Sequence, residues 1–207
     1  GKIEDGPHAP MIHTLGGPLG VDAYLLLNDD GKRFVNEDIG GQQLSCAIYR
    51  QRGDYAWQIF DDNWPEQLPL MGVSHGSVNH CVFAAENPKL PPDCQWAIGR
   101  TSYTSREDLD RTPGLIKANT LAELAAALAP DRPDVQRTIL VEIARYNELA
   151  HAHNDADFGK AAKRLFPLEK APFYAGKMLG GALLVNMGGL TVNPEDGNVL
   201  DRKYHGI

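Results

Sequence analysis

Long apolar runs are missing from this 207-residue chain, and nothing in it approaches the roughly 20 consecutive apolar residues of a membrane-spanning helix. Positive charge is also in short supply. There are 20 Lys and Arg against 27 Asp and Glu, a formal net charge of −7. The clustered cations that displace counterions from a nucleic acid are therefore not expected, and a nucleic-acid partner with them. Cysteine is sparse. Cys46, Cys81 and Cys94 form no C-x-x-C pair, and an odd number excludes a complete disulfide framework. The expectation is three buried or partly buried thiols. A G-x-G-x-x-G fingerprint is absent too. Leu15-Gly16-Gly17-Pro18-Leu19-Gly20 is glycine-rich, but Pro18 interrupts it and no strand-turn-helix pattern surrounds it, so an irregular loop is expected. Gly1 to Gly6 holds no signal-peptide core, which leaves the compartment open. There is no internal repeat and no low-complexity linker.

What remains is an ordinary globular composition, 43 % hydrophobic and 23 % charged, long enough for one substantial domain or two small ones. Asp22 to Asn28 reads as a strand around Ala23-Tyr24-Leu25-Leu26-Leu27. Asp29-Asp30-Gly31-Lys32 supplies a tight turn, and Arg33 to Asn36 is expected to return as the second strand of a hairpin. Gln42 to Arg52 reads as a helix with Leu44 and Ile48 inward, and Tyr55 to Phe60 as a strand. The stretch from Asn63 to Asp110, broken by five prolines, predicts a short helix and long irregular connections. Thr120-Leu121-Ala122-Glu123 has the form of a capping box, opening a helix that stops at Pro130. Pro133 suits the first turn of the next helix, whose apolar stripe is Val135, Ile139, Ile143, Tyr146 and Ala150. Phe173 to Leu179 and Ala182 to Asn186 read as strands. Helices and strands mix without regular alternation, so the expected class is α+β, small mixed sheets with packed helices.

Three groups invite a chemical role. His151-Ala152-His153-Asn154-Asp155-Ala156-Asp157 has alternating ligand-type residues, yet it follows a helix, and capping and solvation are preferred over a metal site. His75 and His80 flank Cys81, a weak zinc hint. Trp57, Phe60, Trp64 and Trp96 are assigned to the core rather than to a ligand cage.

Four segments carry a resemblance. They are Asn28-Asp29-Asp30-Gly31-Lys32-Arg33-Phe34-Val35-Asn36-Glu37, Arg145-Tyr146-Asn147-Glu148, Asp155-Ala156-Asp157-Phe158-Gly159-Lys160 and Ala182-Leu183-Leu184-Val185-Asn186-Met187-Gly188-Gly189-Leu190. In this order they resemble the flavoprotein subunits of the fumarate reductase and succinate dehydrogenase family. The resemblance, taken with the missing glycine fingerprint, implies a substrate-capping domain over residues 1–186. Residues 187–207 would begin the return into an FAD-binding domain of the same full-length protein. It implies FAD in that full-length protein, none bound to this chain alone, and a small-molecule substrate. The family's proton-donating arginine falls at Gly41, its two relay residues at Gly20 and Gly17, and its carboxylate-clamping histidine at Val185 or Leu184. Glycine and valine supply none of the charge-assisted donors that a dicarboxylate needs. The implied activity is therefore hydride transfer between flavin and an activated C=C or C–C bond, with fumarate not expected as the substrate. His8 or His13 could face the substrate, as could Asn186. The glycines of the Met187-Gly188-Gly189 turn would let the backbone lie against a flat cofactor ring. The competing class is a stand-alone, non-catalytic small-molecule-binding module with the same fold.

Overall fold

The computed structural model describes residues 23–71, 109–110, 114–179, 192–193 and 195–199. The expected strand Ala182–Asn186 and the glycine-rich loop at 15–20 lie outside them, as does most of the proline-broken stretch. The elements are β1 (Leu25–Leu27), α1 (Gly41–Tyr49), β2 (Tyr55–Asp61), α2 (Trp64–Met71), β3 (Ile116–Ala118), α3 (Leu121–Leu128), α4 (Pro133–His151) and β4 (Phe173–Leu179), with a 3-10 turn at Ala162–Arg164.

Among the described residues the strands form a four-stranded sheet in the order β1-β2-β4-β3, every pair antiparallel. Leu25, Ile59, Ala175 and Ile116 stand opposite one another in a row across all four strands. They face α3 and α4, where Leu124, Leu128, Ile139, Ile143 and Tyr146 close the main core. The opposite face of the sheet is also covered. Leu26, Ala56 and Met178 pack with Leu44 and Ile48 of α1, while Phe60 and Tyr174 pack with Tyr24 and Trp64. Residues of both parities are therefore buried along β2, and even Gln58 has no exposed surface.

Local chemistry explains the helices. Thr120 Oγ1 accepts the Glu123 N–H at 3.1 Å, and Glu123 Oε2 accepts the Thr120 N–H at 3.3 Å, which is the expected reciprocal cap. Pro133 opens α4, and its five predicted inward residues are all buried, joined by Leu149. Against the sheet each buried side chain of this size contributes about 1.5–3 kcal/mol. Trp57, Phe60 and Trp64 are core residues, as assigned; Trp96 lies outside the described residues.

Two local expectations fail. The hairpin after β1 does not become a second strand, and only Leu27 and Arg33 bridge. The turn itself forms, with Gly31 at φ +75° closed by its N–H to the Asn28 carbonyl at 2.9 Å. A Cβ on Gly31 would stand 2.7 Å from Ile139 Cγ1, so glycine here serves both the turn and the close approach of α4. The chain then leaves the sheet because its charged side chains are needed elsewhere: Glu37 Oε1 takes the Leu26 N–H, 3.3 Å away, that a continuing strand could have paired. The second failure is Cys46, an exposed free thiol on the outer face of α1. Cys81 and Cys94 lie outside the described residues.

Candidate functional site

Four buried charges meet where the loop after β1, helix α4 and the loop after α4 come together. Arg33 donates from Nε to Glu37 Oε1 at 2.8 Å and from one terminal nitrogen to Glu37 Oε2 at 2.8 Å. It reaches both oxygens of Asp155, at 2.9 and 2.6 Å. Its guanidinium lies between two rings, with centroids at 5.2 Å for Tyr146 and 4.8 Å for Phe158. Lys160 Nζ donates to Tyr146 Oη at 2.8 Å and to the Ala23 carbonyl, and sits 3.5 Å from Glu37 Oε2. Asp155 also accepts the backbone N–H groups of Asp157, Phe158 and Lys160. Two cations and two anions balance, and hydrogen bonds satisfy them, which buried ions require.

The electrostatics follow from this geometry. Burial alone would raise the Asp155 pKa, but the Arg33 hydrogen bonds and the Lys160 N–H outweigh it and hold it at about 2. Burial pushes the Tyr146 hydroxyl up. Burial works against the Arg33 charge, yet Glu37 and Asp155 together raise its pKa. A tyrosine paired with a lysine could in principle relay protons. Here the Lys160 side chain has no exposed surface and Arg33 is saturated by carboxylates, so neither can meet a substrate. The cluster is a structural pin.

Immediately beyond it the chain enters α1. Asp38 pairs with buried Arg164 at 2.5 Å, Asn36 Oδ1 accepts the Asp38 N–H at 2.8 Å, and Gly40 and Gly41 start the helix. Position 41 presents a bare backbone at the first helical residue, with no acidic residue in the first turn. A second charged group braces the far end of β2. Asp29 accepts from Arg132 at 3.0 Å, from Tyr55 at 2.5 Å and from Arg52. Burial opposes its ionisation, but those donors hold its pKa at about 2, and burial beside Asp29 raises that of Tyr55.

Of the residues singled out from the sequence, Gly41 is placed as the first residue of α1. His8, His13, Gly17, Gly20, Leu184, Val185, Asn186, Met187, Gly188 and Gly189 lie outside the described residues, as do His75, His80 and Cys81. The His151–Asp157 segment resolves into separate duties. His151 Nε2 contacts Glu169 Oε1 at 2.6 Å, Asp157 pairs with Arg145 at 2.9 Å, and Asp155 turns inward to Arg33. Among the described residues no three His, Cys, Asp or Glu side chains are grouped to hold a metal ion. The Arg33–Glu37–Asp155–Lys160 pin was not foreseen. The spacing of Arg33 and Glu37 hinted at a pair, but nothing local shows that Asp155, 122 positions on, completes it.

An antiparallel sheet covered on both faces and pinned by buried charges defines an α+β domain. A dinucleotide pyrophosphate is held by backbone N–H groups where a parallel strand turns into a helix. The described residues contain no parallel strand pair and do not fit that group. Sequence comparison supplies the lineage: the chain belongs to the FAD binding domain family, which it matches over residues 12–205. It is 26 % identical over 207 residues to the vinyl phenol reductase of Lactiplantibacillus plantarum (strain ATCC BAA-793 / NCIMB 8826 / WCFS1), covering 97 % of this chain and 38 % of that protein. It is 25 % identical over 174 residues to "Probable fumarate reductase Ifc3" of Shewanella frigidimarina (strain NCIMB 400), covering 84 % of this chain and 22 % of that protein. The chain thus spans well under half the length of these two relatives. The open conformation of a flavocytochrome c3 fumarate reductase superposes with a TM-score of 0.54 at 21 % identity, over 92 % of this chain and 26 % of that one, a likeness of fold.

Proposed function

We propose that this chain is the substrate-capping portion of an FAD-dependent oxidoreductase whose full-length form exchanges a hydride between flavin and an activated C=C or C–C bond. The observation that carries the proposal is a mismatch. The chain matches the FAD binding domain family over residues 12–205, yet it has no G-x-G-x-x-G anywhere and its described sheet is antiparallel throughout. The dinucleotide cradle then belongs to another part of the protein, residues 1–186 form the cap, and 187–207 begin the return. The names of the relatives support the reaction class: a vinyl phenol reductase acts on an activated C=C bond.

Fumarate is not the proposed substrate. A dicarboxylate needs guanidinium or imidazole donors, and the resemblance puts the family's proton donor at Gly41, the first residue of α1. The nearby Arg33 cannot substitute, because both of its carboxylate partners occupy it. The cap's own residues would orient the substrate and exclude water; the cofactor carries the redox chemistry.

One experiment with two arms tests this. The purified chain, titrated with FAD and passed through gel filtration, is expected to emerge without stoichiometric flavin. The full-length protein, reduced by a viologen, is expected to reoxidise with enones or aryl-substituted acrylates and negligibly with fumarate. Flavin retained by the isolated chain overturns the capping assignment. Fumarate turnover at ~1–10³ per second overturns the substrate assignment alone.

A further inference from the structure

We draw no further inference here: the strongest candidate, the buried Trp64 indole N–H at the start of α2 beside the Tyr24, Phe60 and Tyr174 rings, lacks a hydrogen-bond acceptor among the described residues, and nothing in the structure shows what covers that atom.

Discussion

Replacing Arg33 by methionine keeps much of the side-chain volume and removes the charge. Four hydrogen bonds disappear, and Glu37 and Asp155 remain in a site where neither has appreciable exposure. Breaking a buried ion pair by removing one partner costs about 3–5 kcal/mol, because the other charge is left uncompensated. For a chain of this size each kcal/mol lowers Tm by about 2–4 °C, so a fall of roughly 6–20 °C is expected. That is a large share of a typical stability of about 5–15 kcal/mol. The assay is thermal and urea unfolding of the purified chain followed by circular dichroism. The mechanism makes a second demand. If a stranded carboxylate causes the loss, Arg33→Met combined with Asp155→Asn, which leaves Glu37 balanced by Lys160, must be more stable than Arg33→Met alone. An Arg33→Met Tm within a degree or two of the parent, or a double variant that simply adds the two separate losses, would refute the pin.

The same cluster sets an acid limit. The folded-state pKa of Asp155 lies below its unfolded value of 3.8, at about 2, so its stabilising contribution is complete above pH ~4 and is lost as pH falls from there through 2. In Asp155→Asn that part of the acid destabilisation should vanish from a stability-against-pH curve, and an unaltered curve would count against it. Gly31→Ala is expected to destabilise by more than the ~1–2 kcal/mol that a left-handed backbone costs an L-residue, because the residue has φ +75° and the new methyl meets Ile139 Cγ1; urea midpoints measure it, and a neutral outcome would be contrary. Zinc and calcium are expected to leave Tm unchanged, since a folded-state site would stabilise by mass action. A saturable rise lost in His151→Ala would restore the metal interpretation of that segment.

The elements whose causes are local were legible in the chain. The capping box at Thr120 and Glu123, Pro133 at the head of α4 and the inward stripe of that helix need only residues three or four apart, and the structure has each of them. So does the Gly31 turn, where a positive φ is written into the residue type. Strand β4 came out with the bounds that its sequence gave, Phe173 to Leu179. Family membership was legible for a related reason, since ordered segments survive as text. What those segments do was not. Asn28, Arg33, Glu37, Tyr146, Asn147, Asp155 and Lys160 carry the resemblance, and in the folded chain they cap turns, tie loops and bury one another's charges. Their partners lie up to 137 positions away, as between Lys160 and Ala23. No helical or strand period encodes such a distance. Tertiary structure alone decided that Arg33 would turn in to meet Asp155 instead of extending a hairpin, because only the folded chain brings the balancing carboxylate within 2.6 Å of a desolvated guanidinium.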